Sequence, residues 1–328
     1  MRYPTILFAI GLSWTNAVAH HSSVIFDEEQ EIVIEGVVSD YAWRNPHVYI
    51  YVDTEDDSGQ RMRWQIEADD IRTMLGSGWT PTTLVAGERV VVYANPDRIA
   101  ERRHALMVSL SKPDGTTLTP EILEPSAPPV AAADIFSLWD PTRFIEAHLN
   151  SGSLTEKGAI AQAEYTDEDS PRSRCVPPAP PSTVVAGLIE ISMQEEHILI
   201  QTEEFQIERI VYMDGRGHPT DGERTIQGHS IGRWESDGDG DVLVIDTTHF
   251  ADLRDGNLFG TPSGAQKHLV ERYELTDDGT QLRVSFVLED PEYLQEPVTG
   301  GILLEHAANE TFMPSACDPE TARLWMYE

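Results

Sequence analysis

Short runs in which apolar and polar residues alternate, separated by turn signals, fill most of this chain and restrict it to a β-rich fold. Successive side chains of a strand point to opposite faces, so this pattern predicts strands with one buried face. The first five runs cover residues 31–43, 47–53, 61–68, 87–97 and 104–115. A short helix, 69–75, fits between the third and fourth runs and ends at Gly76. This order predicts an OB-like five-stranded barrel over residues 20–112.

A second β-rich region extends from Gly187 to Phe312, and its turns DGRGHP, DGDG and DDG favour hairpins and loops. Seven or more strands in antiparallel succession predict a barrel or a sandwich larger than the first barrel. The preceding stretch contains the helix-like segment LTEKGAIAQAEY and a second set of residues at helical spacing: Trp139, Phe144, Ile145 and His148. Residues 136–328 are therefore predicted to form short helices that lead into an antiparallel β-barrel domain.

Two segments fall outside these domains. Residues 113–135 are rich in proline and small residues without any periodicity, which predicts a linker. Residues 1–19 combine Arg2, an apolar run, and Ala17 and Ala19 at the cleavage positions, the pattern of a secretory signal peptide. We therefore expect an exported protein, periplasmic or secreted, whose mature chain begins at His20 and contains no membrane span.

Acidic residues exceed basic residues by 56 to 23, and the formal net charge is −33. A surface of this sign repels phosphate backbones and anionic lipids, which argues against nucleic-acid and membrane-surface partners. It attracts cations, and it also promotes solubility without any ligand. A metal ion or a small molecule is therefore the expected partner, and charge alone does not choose between them.

The chain has two cysteines, Cys175 and Cys317, both in the second domain. In an oxidising exported compartment, such a pair is most simply explained as one disulfide. The alternative is two free thiols that bind a metal, although no C-x-x-C spacing is present.

The predicted mature N-terminus is the strongest candidate for a ligand site. Cleavage before His20 leaves a free α-amino group beside its imidazole, and this nitrogen chelate suits copper(II), which prefers nitrogen-rich tetragonal coordination. His21 adds an imidazole, and His47, at the start of the second strand, is a candidate for a further ligand. Asn45 and Glu67 are candidates to orient these ligands by hydrogen bonding. The structural alternative is a solvated N-terminus and a histidine that only caps a strand.

The first domain contains five short motifs: AHHS at 19–22, G-x-V-x-x-x-x-W-x-N-P-H at 36–47, WQIE at 64–67, GW at 78–79 and GERV at 87–90. Together they resemble an uncharacterised family of small secreted bacterial proteins known as domain of unknown function 6152. The resemblance covers residues 19–118 and implies export and a small β fold without naming an activity. It places these residues on motif positions: His20, His21, Trp43, Asn45, His47 and Glu67.

The second domain also contains distinctive segments: VYMDGRGHP at 211–219, GHSIGRWES at 228–236, LVIDTT at 243–248 and HLVERYEL at 268–275. They resemble those of larger uncharacterised secreted proteins with β-barrel-like character. A barrel interior that holds His229 with Asp246 or Glu271 would provide a catalytic acid–base pair for a hydrolase or isomerase, or a metal pair. A buried hydrogen bond of purely structural purpose is the alternative. His218 and His249 are expected to be loop residues rather than ligands.

Two other interpretations concern the second barrel. Trp234 and Phe286 are candidates to line an interior pocket for a small apolar molecule. The segment GHSIG places Ser230 at the spacing of a nucleophile elbow, but the strand–turn–helix context that exposes such a serine is missing. The sequence contains no metalloprotease, phosphate-loop or haem-attachment motif, so the activity stays open.

Overall fold

A computed structural model of the protein describes residues 25–44, 47–55, 59–120, 129–148, 154–166, 169–185, 187–236, 241–258, 260–314 and 316–317. Strands dominate this part of the chain. The predicted signal peptide, the candidate ligands His20 and His21, and Asn45 lie outside the described residues. No helix within the described ranges is long and apolar enough to cross a bilayer.

Within the described residues, the first β unit contains six strands and one α-helix. Its strands are β1 (Ile32–Ala42), β2 (Tyr49–Glu55), β3 (Arg61–Glu67), β4 (Arg89–Pro96), β5 (His104–Ser111) and β6 (Thr117–Leu118). Helix α1 (Ile71–Gly76) lies between β3 and β4, as the sequence predicts. Asp70 caps it, because its carboxylate accepts a hydrogen bond from the Thr73 amide.

The first barrel is closed by a parallel pairing of β3 with β5. β1 pairs with both β2 and β4 in antiparallel fashion, which completes the predicted five-stranded OB-like barrel. One apolar core fills it, and its members include Val38, Val52, Ile66, Trp79 and Val92. The β3–β5 register places Gln65 opposite His104 and Glu67 opposite Leu106. Polar residues from two distant segments therefore meet at one end of the barrel.

Within the described residues, the second β unit contains nine strands and one α-helix. Its strands are β7 (Leu138–His148), β8 (Ile189–Met193), β9 (His197–Thr202), β10 (Glu208–Tyr212), β11 (His229–Ser236), β12 (Asp241–Thr248), β13 (His268–Leu275), β14 (Gln281–Glu289) and β15 (Val298–His306). Helix α2 (Glu156–Ala163) forms within the predicted segment LTEKGAIAQAEY. The capping residue is Thr155, whose hydroxyl accepts a hydrogen bond from the Gly158 amide.

The nine strands close into a barrel, which decides between the predicted barrel and sandwich. Neighbouring strands are antiparallel except β10 and β11, which pair in parallel through Val211↔Ser230 and Tyr212↔Ile231. A parallel pair cannot be joined by a tight hairpin. The connection 213–228 therefore crosses over the outside of the wall, and it carries His218.

The predicted helix around Trp139 and His148 is wrong, because this stretch is the strand β7. β7 pairs with β15 along most of its length and with β8 at its start. The β7–β15 register shifts twice, between Thr299 and Gly301 and between Leu303 and Glu305. Each shift adds a residue to β7 and breaks the two-residue alternation, so the apolar positions imitate a helical period.

The predicted disulfide is confirmed. Cys175 and Cys317 are bonded, with their Cα atoms 5.5 Å apart, so the alternative of two free metal-binding thiols is wrong. The bond links residues 142 positions apart and ties the end of the described chain to the segment before β8. Such a bond is compatible with an oxidising, exported compartment.

Candidate functional site

A buried carboxylate lies among ring-bearing side chains at one end of the first barrel. Glu67, the last residue of β3, is 2% exposed and accepts a hydrogen bond of 3.2 Å from the Tyr49 hydroxyl. Its Oε1 lies 3.4 Å from Nδ1 of His47, and its Oε2 lies 3.2 Å from Nε2 of His104. Burial, and then the charge of Glu67, raise the pKa of Tyr49, so its hydroxyl remains a donor. Within the described chain, the ion-pair partners of Glu67 are histidines.

The buried ring of His104 extends this cluster to a second carboxylate. Its Nδ1 lies 3.6 Å from Oδ2 of Asp97, which also faces Arg102 at 3.5 Å. Three buried atoms of this cluster have no hydrogen-bond partner within the described ranges: Glu67 Oε1, Asp97 Oδ2 and His104 Nε2. Their contacts are within ion-pair distance but lack hydrogen-bond geometry. Because buried polar atoms are nearly always hydrogen-bonded, this cluster is a candidate for a ligand site.

His47 lies at the rim of the same cluster, with 28% of its side chain exposed. Its Nδ1 lies 3.3 Å from the carbonyl oxygen of Ala68. A proton on Nδ1 that is donated to this carbonyl leaves the lone pair on Nε2. Histidines that bind metals commonly hold their second nitrogen in this way. The structure thus brings the predicted ligand His47 next to the predicted supporting residue Glu67.

His104 and Asp97 are not among the site residues that the sequence predicts. The only sequence signal is a histidine at the first position of an otherwise apolar strand, and this signal is weak. Contact between His104 and Glu67 depends on the parallel pairing of β3 with β5, which strand periodicity does not reveal.

An ion pair is buried inside the second barrel. Arg209 Nη2 lies 2.5 Å from Oε2 of Glu271, and their side chains are 2% and 0% exposed. Arg209 also donates to Ser230 at 3.0 Å and to Thr247 at 2.7 Å, and the Tyr273 hydroxyl donates to Glu271 at 3.3 Å. Ser230 is consequently an interior hydrogen-bonding residue and not an exposed nucleophile.

The predicted interior pairing of His229 with Glu271 or Asp246 is wrong. Glu271 points inward to Arg209, whereas His229 and Asp246 are partly exposed on the outer side of the wall. Alternation explains this separation, because Ile231 on the outer face of β11 lies opposite Asp246, while Ser230 is buried. The wall therefore divides the three predicted catalytic residues between its two faces.

On the outer face, His218 joins the two outward-facing candidates. Its Nε2 lies 3.0 Å from Oδ1 of Asp246, and its Nδ1 lies 2.9 Å from Nδ1 of His229. Nε2 of His268 lies 3.0 Å from the same Asp246 oxygen. His218 is in a loop, as predicted, but its ring connects His229 to Asp246.

A further histidine lies beside this cluster. His249 follows β12 with a positive φ of 58°, and its Nδ1 lies 2.9 Å from the Thr248 hydroxyl. Its ring centroid lies 6.4 Å from those of His218 and His229. Tyr212 stacks on His229 with a centroid distance of 5.2 Å. Burial, and then the neighbouring His218 and His249, lower the pKa of His229, which favours its neutral form.

A groove of about 650 Å³ opens next to these imidazoles. Its lining includes Phe205, Ile207, Tyr212, Pro219, Gly222 and His229. The predicted pocket residues do not line it. Trp234 is 40% exposed and lies edge-on to Phe136, and Phe286 packs against a small apolar cluster around Leu269.

Within the described ranges, no group of three or more histidine, cysteine, aspartate or glutamate side chains is arranged to hold a metal ion as it stands. A metal site in this protein would therefore need either a ligand from outside these ranges or a movement of a side chain within them.

Residues 9–106 match DUF6152, a family of unknown function. This match confirms the resemblance that the motifs of the first domain predict. No curated protein matches the chain. The buried cluster around Glu67 lies within the matched residues, and the histidines of the second barrel lie outside them.

Proposed function

We propose that this is an exported protein that binds a transition metal ion, with copper(II) favoured, where its mature N-terminus meets His47 on the first barrel. In this proposal, the α-amine and imidazole of His20 form the chelate, and Nε2 of His47 or the ring of His21 supplies a further nitrogen. Copper(II) stands at the top of the divalent affinity order and accepts a nitrogen-rich, tetragonal set of ligands. The disulfide between Cys175 and Cys317 supports the exported compartment.

The orientation of His47 carries this proposal. Its Nδ1 faces the Ala68 carbonyl at 3.3 Å and Glu67 Oε1 at 3.4 Å, which leaves Nε2 as the nitrogen with a lone pair. A carboxylate or carbonyl behind an imidazole fixes its tautomer and makes the opposite nitrogen a better ligand. In this proposal, Glu67 keeps the supporting role behind a ligand that the sequence predicts for it.

The position of the chain start supports the same site. The amide of Arg98 donates to the carbonyl of Ile25 at 2.9 Å, and Phe26 packs on His104 with ring centroids 4.8 Å apart. The described chain therefore begins beside the buried cluster. The five residues from His20 to Val24 extend at most about 17 Å, which is long enough for His20 to fold back over this end of the barrel.

The charge of the cluster also favours a cation. Burial of a carboxylate is costly unless a counter-charge or hydrogen bonds offset it. Glu67 faces two imidazoles and one hydroxyl, and its Oε1 has no hydrogen-bond partner in the described chain. A cation at the neighbouring rim stabilises this carboxylate at longer range.

The test starts from the full precursor expressed with export, with the mature N-terminus confirmed by mass spectrometry. Copper(II) is titrated while visible absorption and electron paramagnetic resonance report nitrogen coordination. We expect one equivalent to bind, with at least 100-fold weaker binding in His20→Ala/His21→Ala, which removes both imidazoles at the N-terminus. His47→Ala should weaken binding about 10-fold or more, and Glu67→Gln should do so to a similar degree.

The matched control is His197→Ala, which removes a histidine at the start of β9, on the other barrel. It should leave the copper titration unchanged. Copper binding no tighter than that of a free histidine peptide would refute the proposal, as would equal binding in His20→Ala/His21→Ala.

A further inference from the structure

Three imidazoles from three separate segments lie close together on the second barrel, and that of His229 lines the groove. His218 belongs to the crossover connection, His229 begins β11 and His249 follows β12. The ring centroids of His218 and His229 are 5.1 Å apart, and their Nδ1 atoms are 2.9 Å apart. Two neutral imidazoles at this distance share one hydrogen bond, and the same pair of nitrogens is close to the spacing of two metal ligands.

The spacing can be compared with that of a tetrahedral metal site. Zinc–imidazole bonds of about 2.0–2.1 Å place two ligand nitrogens roughly 3.3 Å apart and their ring centroids about 5 Å apart. The His218–His229 pair meets this geometry with a small adjustment. The ring centroid of His249 lies 6.4 Å from those of both other histidines, more than 1 Å farther than the centroid spacing of a tetrahedral site. This gap agrees with the absence of a closed three-ligand group among the described side chains.

Two of the three rings have an oxygen within hydrogen-bonding distance of one ring nitrogen. His218 Nε2 lies 3.0 Å from Asp246 Oδ1, and His249 Nδ1 lies 2.9 Å from the Thr248 hydroxyl. A carboxylate behind His218 fixes its Nε2–H tautomer and leaves the Nδ1 lone pair toward His229. Supporting oxygens of this kind are typical of histidines that bind metals.

Gly222 lies against the ring of His249, and a Cβ atom at Gly222 would come within 3.0 Å of His249 Cδ2. The absence of a side chain at Gly222 therefore leaves this side of the imidazole without a covering Cβ atom. The backbone of His249 is left-handed, with φ of 58°. A side-chain rotation of about 1 Å at the ring is within ordinary rotamer motion.

We propose that His218, His229 and His249 form a second site, for a divalent transition metal ion of the zinc type, at the edge of the groove. Three neutral imidazoles are a common ligand set for zinc, and they leave a fourth position for water or a bound molecule. His229 and Gly222 both line the groove, so this fourth position faces a space of about 650 Å³. The site draws no ligand from the N-terminus and is independent of the copper proposal.

The test uses the full-length mature protein carrying His20→Ala/His21→Ala, which removes the imidazoles of the N-terminal chelate. Zinc is titrated by isothermal calorimetry, and circular dichroism checks the fold of each variant. We expect one equivalent of zinc, with at least 100-fold weaker binding in His229→Ala and in His218→Ala. Asp246→Asn should weaken binding about 10- to 100-fold through the orientation of His218.

Two histidines serve as controls. His268→Ala removes a ring that contacts Asp246 from the opposite side, and it should change zinc affinity by less than about threefold. His197→Ala should have no effect. The assignment is overturned if the parent protein binds zinc no more tightly than His218→Ala/His229→Ala, or if His268→Ala weakens binding as much as His229→Ala.

A second measurement does not depend on any variant of the three clustered histidines. Histidine side-chain resonances are followed by NMR while Ni²⁺, a paramagnetic probe, is added to the protein carrying His20→Ala/His21→Ala. The signals of His218, His229 and His249 should broaden before those of His197 and His306. Simultaneous broadening of all histidines would show only non-selective binding and would refute the site.

Discussion

The two barrels each bury a glutamate beneath a tyrosine hydroxyl, and the surroundings of these carboxylates differ. Glu67 accepts a hydrogen bond from Tyr49 at 3.2 Å, and Glu271 accepts one from Tyr273 at 3.3 Å. Glu271 is also bonded to Arg209 at 2.5 Å. Glu67 instead faces two histidines and retains an oxygen without a hydrogen-bond partner in the described chain.

This difference distinguishes polar groups that stabilise the fold from polar groups that can still bind a ligand. Arg209 donates to three acceptors in the interior of the second barrel, so removal of any partner leaves a buried polar atom unpaired. The cluster of Glu67 lies at the rim, beside the half-buried His47, and its groups are only partly satisfied. We therefore expect the Glu271 network to contribute to stability and the Glu67 cluster to contribute to ligand binding.

The largest expected effect is that of Arg209→Met. It leaves Glu271 buried without its counter-charge and deprives Ser230 and Thr247 of their donor, so the free energy of unfolding should fall by about 5 kcal/mol. Urea denaturation followed by circular dichroism measures this loss. The double variant Arg209→Met/Glu271→Met should recover most of it, because no isolated charge remains. A single-variant loss below about 1 kcal/mol would remove the contrast between the two barrels.

A second effect concerns Lys267, which is buried in the second barrel and donates to the carbonyls of Pro180 and Gly256. Burial lowers its pKa from 10.5 to about 7. Between these values, the unfolded chain holds a proton that the folded chain lacks. Stability should therefore fall as the pH decreases from about 10.5 to 7 and then become constant, with a change approaching 5 kcal/mol.

The difference in unfolding free energy between the parent protein and Lys267→Met isolates this titration from all others. It should change in favour of the parent protein as the pH rises from 7 toward 10.5. A flat difference over this range would mean that Lys267 stays charged in the folded protein. The second barrel would then hold a further satisfied charge, which would sharpen its contrast with the first.

The smallest expected effect is that of Glu67→Gln on the metal-free protein. The amide removes the penalty of a buried charge and keeps an acceptor for Tyr49, so the free energy of unfolding should change by less than about 1 kcal/mol. The matched variant Glu271→Gln should be several kcal/mol less stable than the parent protein. Urea denaturation of both variants at pH 7 compares them directly. Equal losses would show that the Glu67 cluster is structural.

Most strands could be predicted from the sequence because alternation is a local property. The runs from Ile32 to Ala42 and from Gln281 to Glu289 show it clearly, and both form strands. β7 could not be predicted, because its two register shifts against β15 break the alternation. The shape of a bulged strand depends on its partner, and a window of sequence around Trp139 contains no information about β15.

The candidate sites were predicted in part. The N-terminal motif led to His47 and its neighbour Glu67, and His229 and Asp246 were selected from the correct strands. Glu271 was placed with the wrong partner, because alternation assigns residues to two faces without deciding which face is inside when both carry polar residues. The sequence does not indicate His104 for a different reason, since its contact with Glu67 depends on the closure of the barrel.

The sequence by itself determined the β-rich class, the family resemblance of the first domain and the pairing of the chain's two cysteines. These follow from local periodicity, from motifs and from simple counting. The tertiary structure alone decided which polar side chains meet. His104 meets Glu67 through the β3–β5 pairing that closes the first barrel, and His218 meets Asp246 because the connection before β11 lies against β12. Contacts across a closed sheet depend on strand order and register, and the residues on either side do not record that order.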